Sequence, residues 1–250
     1  MYNQFVSNYD QYLESIFSEY KSNSVNELIL DLRYNPGGSI NSALILASLI
    51  TGQFENDIFN TEEWNTEIQN YWINNNPEYL VNRFLSLESS LNLNRVFILT
   101  TRSSASASEL IINCLDPYID VIQIGTTTYG KYQASVTLYD SENFSNQNIN
   151  PSHNYAIQPL VLKTLNVLGI TDYFNGINPE YDFEEKVYNM GIIGDLNEPM
   201  LNFAMGLINS RAEINIQPET LEFVDDNFKF DFLKREMYIE NKEIKINDGD

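Results

Sequence analysis

The sequence predicts an α/β fold, and two strand–turn–helix patterns carry that prediction. The apolar run Leu28–Leu32 leads through a glycine-rich turn into a helical pattern over residues 40–50. The apolar run Val96–Leu99 leads through a turn of small residues into a helical pattern over residues 106–115, and the apolar run Val121–Ile124 follows. Nearly continuous apolar runs are typical of strands buried on both faces. Their alternation with helices is that of βαβ units.

The first predicted element is an amphipathic helix over residues 4–21. Its apolar side chains recur at spacings of three and four and form one face: Phe5, Val6, Tyr9, Tyr12, Leu13, Ile16, Phe17 and Tyr20. The pair Gly37–Gly38 follows the first strand, and glycine lets another chain approach the backbone closely. The next helix spans Ile40–Ile50, and Gly52 is placed to end it.

Residues 53–92 interrupt the α/β pattern. They are rich in Asn, Glu, Tyr and Trp, and the segment Tyr79–Leu85 has helical character. We therefore expect a helical insertion that covers a cleft or forms a lid.

After the third core strand the pattern is less regular. The alternating run Tyr132–Tyr139 predicts a half-exposed strand. We expect a polar loop over residues 141–154, a further strand over residues 155–163 and a turn over residues 176–179.

The C-terminal part contains a last helix and a charged tail. Residues 194–209 predict the helix, with Asp195 or Asn197 as its N-cap and Glu198 in its first turn. The tail from Pro218 alternates like an edge strand at Phe228, Phe230 and Phe232. We divide the chain into a core, residues 1–217, which contains the insertion, and an acidic C-terminal extension, residues 218–250.

Composition excludes several classes of function. The formal charge is −21, from 35 acidic and 14 basic residues, and this disfavours binding to nucleic acid or to an anionic membrane. The one cysteine, Cys114, lies in an apolar helical pattern and predicts a buried thiol, with neither a disulfide nor a cysteine metal site. The N-terminus lacks the features of a signal peptide. We expect no cofactor and no metal.

Ser106 is the first candidate for chemistry, and two interpretations compete. With Glu109 three residues later it fits a capping box, in which it only starts a helix. It could also be a nucleophile, because free N–H groups at a helix start can hold an oxyanion. Ser103, Ser104 and Ser108 are rival nucleophiles on sequence alone.

Lys131 is the candidate general base for such a serine. Its pKa must fall from roughly 10.4 toward neutrality, which requires burial among apolar neighbours. Asp116 or Asp120 in contact with the amine would oppose that shift. The one histidine, His153, lies in a polar loop, so a Ser-His-Asp triad is disfavoured.

Three motifs follow one another along the chain: Leu30–Gly38, Ser104–Glu109 and Gly125–Lys131. Together they resemble the motifs of the C-terminal processing (tail-specific) peptidases. Leu30–Gly38 (LDLRYNPGG) resembles the glycine-pair signature of that family, Ser104–Glu109 (SASASE) its nucleophile motif, and Gly125–Lys131 (GTTTYGK) its lysine motif. The interval of 25 residues from Ser106 to Lys131 is also that of the family. The resemblance extends over roughly residues 1–210.

The resemblance implies a crotonase/ClpP-like ββα core and a serine endopeptidase that acts on unfolded or C-terminal segments of proteins. Ser106 would attack the scissile carbonyl, with Lys131 as base and then acid. The Ala107 N–H, with that of Gly37 or Gly38, would form the oxyanion hole. The resemblance thus selects Ser106 among the serines.

Two features depart from the family pattern. Many members have a glutamine four residues after the lysine, where this chain has Ser135, and Gln133 is a candidate substitute on the same strand face. Members also carry a PDZ-like domain before the core, for which this chain has no room. We therefore expect an excised core, or the C-terminal part of a longer exported polypeptide of a bacterial envelope.

The departures motivate an alternative of another class, a peptide- or lipid-binding module that keeps the peptidase fold without turnover. The partner in the main hypothesis is a protein or peptide substrate. The sequence does not indicate an oligomeric state.

Overall fold

The computed structural model describes residues 1–209 and 237–239. Five α-helices are described there: α1 (Asp10–Ser22), α2 (Ile40–Ile50), α3 (Thr66–Asn75), α4 (Ala107–Leu115) and α5 (Pro199–Ile208). The described strands are β1 (Ile29–Asp31), β2 (Gly38–Ser39), β3 (Ile58–Trp64), β4 (Val81–Arg83), β5 (Arg95–Thr100), β6 (Asp120–Gly125), β7 (Gln133–Ser135), β8 (Leu138–Tyr139), β9 (Ala156–Ile157), β10 (Leu160–Leu165), β11 (Tyr181–Asp182) and β12 (Met237–Tyr238).

A parallel sheet with strand order β1-β5-β6-β11 forms one half of the fold. Successive residues of β5 alternate between two apolar clusters. Val96 and Ile98 pack with α2 and α4 on one face, and Phe97 and Leu99 pack with α5 on the other. The prediction of strands buried on both faces between helices is therefore confirmed.

A second sheet, of order β2-β12-β7-β10-β3-β4, carries the strands next to the glycine pair and the lysine. Residues 53–92 contribute β3 and β4 to it, and β3 pairs along β10. The prediction of a helix over Tyr79–Leu85 was wrong, because a short 3₁₀ helix, Pro77–Leu80, leads directly into β4. The helix α3 is the helical part of this segment, and Trp72 on it is buried in the core.

Several predicted boundaries differ from the structure. Phe5 is extended and pairs with Gly38, so α1 begins later than predicted. The predicted strand over residues 132–139 is divided into β7 and β8, which belong to different sheets. The strand predicted over residues 155–163 breaks before β10, where Pro159 has no N–H to donate.

The last described helix has a different cap from the predicted one. Neither Asp195 nor Asn197 caps α5; the Glu198 side chain accepts hydrogen bonds from the Met200 and Leu201 N–H groups. The predicted edge strand at Phe228, Phe230 and Phe232 lies outside the described residues. Within the described ranges, no helix has both the length and the apolar character needed to cross a bilayer.

Candidate active site

Ser106 lies at the turn between β5 and α4, and its backbone is strained. Its φ is 64° and its ψ is −111°, a conformation that residues with a side chain rarely adopt. The side chain is fully buried, and Oγ has no hydrogen-bond partner in the described part of the chain. Strained backbone and an unsatisfied buried hydroxyl both cost stability, and such features cluster at functional sites.

The rival serines of the same motif are distinguished by their hydrogen bonds. Ser104 Oγ donates to the Leu32 carbonyl at 2.7 Å, and Ser108 Oγ donates to the Asn35 carbonyl at 3.0 Å. Both hydroxyls therefore attach the serine turn to the turn that follows β1. Ser103 is half-buried. Within this motif, Ser106 is the buried serine whose hydroxyl has no hydrogen-bond partner among the described residues.

The glycine pair lies between two other stretches of chain. A Cβ at Gly38 would lie 2.0 Å from the Phe5 carbonyl oxygen, so only glycine fits there. Met237 of β12 pairs with Gly38 in parallel register. The Gly37 N–H donates to Asn35 Oδ1 at 2.9 Å, and it would have to leave that acceptor to bind an oxyanion.

Lys131 is brought close to Ser106 through a shared acceptor. The Ser106 N–H donates to Glu109 Oε2 at 2.7 Å, and the Lys131 N–H donates to the same oxygen at 2.9 Å. Two donors on one oxygen lie within about two hydrogen-bond lengths, roughly 6 Å, of each other. The Lys131 residue is only 8% exposed.

Glu109 is the site residue whose importance the sequence did not reveal. The capping-box pattern identified its contact with Ser106, and that backbone half of the box is present. Its full burial and its bonds to the lysine loop depend on tertiary structure and left no local signal. Burial raises the pKa of its carboxyl group, and the hydrogen bonds from Thr128, Ser106, Lys131 and Gly130 oppose that shift.

The remaining candidate residues lie outside the described hydrogen bonds of Glu109. Gln133 and Ser135 both lie on β7, and Ser135 Oγ donates to the Met237 carbonyl at 3.3 Å. Asp116 and Asp120 are exposed, and the carboxylate bound to the Lys131 backbone is Glu109 instead. His153 contacts the exposed Asp140 at 3.1 Å and takes no part in the candidate site.

A buried arginine, Arg33, forms a network of ion pairs at the turn that follows β1. Arg33 donates to Asp31, Glu185 and Glu198, with nitrogen–oxygen distances between 2.8 and 3.0 Å. Burial alone would lower the pKa of the guanidinium, but the bond to Asp31 and the three carboxylate charges raise it overall. The arginine thus ties the end of β1 to the start of α5.

No cluster of His, Cys, Asp or Glu suited to a metal ion occurs among the described residues.

Comparison with known proteins shows what the fold and motifs are similar to. The model of peptidase family S41 matches residues 1–150. Two Staphylococcus epidermidis proteins named "Probable CtpA-like serine protease" are 29% identical over 129 residues, which cover 52% of this chain. The aligned segment spans only 24% of those relatives, about a quarter of their length.

Solved structures show the same fold. An S41 protein from Bacteroides fragilis superposes with a TM-score of 0.71 at 27% identity, over 85% of this chain and 54% of that one. The photosystem II D1 C-terminal processing protease superposes with a TM-score of 0.52 at 18% identity, over 78% of this chain and 43% of that one. The predicted crotonase/ClpP-like fold is confirmed.

Proposed function

Because this chain belongs to peptidase family S41, we propose that it is a serine peptidase with Ser106 as nucleophile and Lys131 as general base. One observation carries the proposal: the backbones of these two residues are held together by a shared hydrogen-bond acceptor, Glu109 Oε2. Ser106 is strained and buried, and its hydroxyl has no partner among the described residues. The backbone N–H groups of Ser106 and of the buried Lys131 donate to one and the same carboxylate oxygen.

The proposed reaction proceeds in two stages. The neutral Lys131 amine takes the hydroxyl proton while Ser106 Oγ bonds to the scissile carbonyl carbon, and the carbonyl oxygen becomes an oxyanion. When the C–N bond breaks, the lysine ammonium returns that proton to the departing amine, which leaves an acyl-enzyme. A water molecule, deprotonated by the same lysine, then releases the acid and restores the serine.

The oxyanion needs donors at the start of α4. The Ala107 N–H belongs to the first turn of that helix, whose N–H groups have no partner within the helix. A second donor would come from Gly38, or from Gly37 once it has left Asn35 Oδ1. Each such donor is worth roughly 3–4 kcal/mol in the transition state.

We propose unfolded or C-terminal segments of proteins as substrates. Ser106 and Lys131 are both buried, and we propose that the chain covering them moves aside when a substrate binds. An extended, flexible segment reaches a buried pair of residues more readily than a folded surface does. Export to a cell envelope, the PDZ-like domain and the role of Gln133 stay predictions.

The test uses an unfolded protein substrate, such as a reduced and alkylated protein, and follows new N-termini with time. We expect Ser106→Ala and Lys131→Ala each to reduce cleavage to the detection limit, while the control Ser103→Ala retains it. Unchanged cleavage by Ser106→Ala would refute the proposal. If the parent binds the unfolded chain tightly but never cleaves it, the alternative of a binding module is correct.

A further inference from the structure

Glu109 joins two separate parts of the chain through one buried carboxylate. Its Oε2 accepts from the backbone N–H groups of Ser106 and Lys131. Its Oε1 accepts from Thr128 Oγ1 and from the Gly130 N–H, both at 2.6 Å. Four donors therefore converge on two oxygens from the helix start and from the loop that carries the lysine.

This arrangement exceeds what helix capping requires. A capping glutamate needs only the N–H at the helix start and can sit at the surface, whereas burial of a carboxylate costs more than one capping bond returns. Three of the four donors belong to residues 128–131, on a different loop. Thr128 is itself fixed from outside, because its Oγ1 accepts from the Ile177 N–H at 2.7 Å.

We propose that Glu109 is a positioning residue for the peptidase reaction: it holds the backbones of nucleophile and base at a fixed separation. Glu109 acts through Ser106 and Lys131 and touches no substrate. The inference rests on the proposed function and extends it. Because displacement of a reacting group by about 1 Å can cost about a hundredfold in rate, loss of this carboxylate should lower kcat and leave KM almost unchanged.

The test is Glu109→Gln, which keeps the size of the side chain. Its amide offers one oxygen instead of two, so two of the four donors lose their acceptor. We expect kcat on an unfolded substrate to fall about 10- to 100-fold, with KM within twofold of the parent. The folded fraction is measured alongside by circular dichroism, and kcat is corrected for it.

The matched control is Glu62→Gln, the same change at another buried carboxylate. Glu62 lies on β3 and accepts from Trp64 Nε1 and Asn82 Nδ2, both at 3.0 Å. The variant loses a buried charge and one of its two acceptor oxygens, and we expect its corrected kcat to match that of the parent. A general effect of buried-charge loss would lower kcat in both variants and would overturn the inference.

If Glu109→Gln does not fold, Thr128→Val replaces it, since it removes one donor to Oε1 and keeps the carboxylate. We expect kcat to fall several-fold, with KM unchanged. Corrected kcat within twofold of the parent in the folded variant, or a loss carried by KM, would overturn the inference while Ser106-dependent cleavage stands. A parent without cleavage, or unchanged cleavage by Ser106→Ala, refutes the proposed function, and this inference falls with it.

Discussion

Replacement of Arg33 by alanine tests how much the buried ion network at the turn after β1 contributes to the stability of the fold. The Arg33 side chain is 1% exposed and is the cation shared by Asp31, Glu185 and Glu198. Glu198, at 2% exposure, also caps α5. Arg33→Ala therefore leaves three carboxylates without their shared counter-charge, at the junction of β1 and α5.

The size of the effect follows from the exposure of these groups. Removal of one partner of a buried ion pair costs about 3–5 kcal/mol, because the other charge stays buried and unpaired. Glu198 meets that condition, whereas Asp31 and Glu185 are partly accessible to water and should add little. We therefore expect Arg33→Ala to lower the free energy of unfolding by about 3–5 kcal/mol.

The assay is urea denaturation followed by the fluorescence of the buried Trp64 and Trp72. The control is Arg83→Ala, because Arg83 makes a similar two-nitrogen contact with Glu78 while the side chains are 39% and 69% exposed. Such a surface pair contributes about 0–1 kcal/mol. If Arg33→Ala costs no more than Arg83→Ala, the argument from burial is refuted.

Three further predictions concern the thiol, the lysine loop and β12. Burial raises the pKa of the Cys114 thiol, so Ellman's reagent should detect no thiol in the native protein and one in denaturant; rapid native labelling would contradict this. Gly130→Ala should lower the free energy of unfolding by more than Gly169→Ala does. Both glycines have positive φ, but a Cβ at Gly130 would lie 2.3 Å from the Phe174 carbonyl oxygen, whereas a Cβ at Gly169 would meet nothing within 4 Å. Equal losses in urea denaturation would contradict this prediction. Met237→Ala should cost about 2–5 kcal/mol in the same assay, since the side chain is fully buried; a loss below about 1 kcal/mol would show that β12 adds little.

Elements with a strong local signal were predicted well. The helix over Ile40–Ile50 has the predicted bounds, and the strands at Leu28–Leu32, Val96–Leu99 and Val121–Ile124 are present within a residue or two. Continuous apolar runs between glycine or small-residue turns identify strands of a parallel sheet, because both faces are buried. The buried thiol of Cys114 followed from the same pattern.

The errors occur where tertiary contacts override local preference. The segment 79–85 has helical composition, yet pairing of β4 with β3 makes residues 81–83 extended. Phe5 suits the apolar face of a helix, but it pairs with Gly38 instead. The contacts of Glu109 with the lysine loop join residues 19 to 22 apart in sequence, and the contact of Arg33 with Glu198 joins residues 165 apart. Local sequence therefore could not predict either role.

The most direct test of the central claim is to locate the reactive serine chemically. The folded protein is incubated with a fluorophosphonate until labelling stops, and peptides are mapped by mass spectrometry. We expect one label, on Ser106, that is absent in denatured protein and strongly slowed in Lys131→Ala. A label on Ser103, Ser104 or Ser108, or labelling of Ser106 at the same rate without Lys131, would contradict the account.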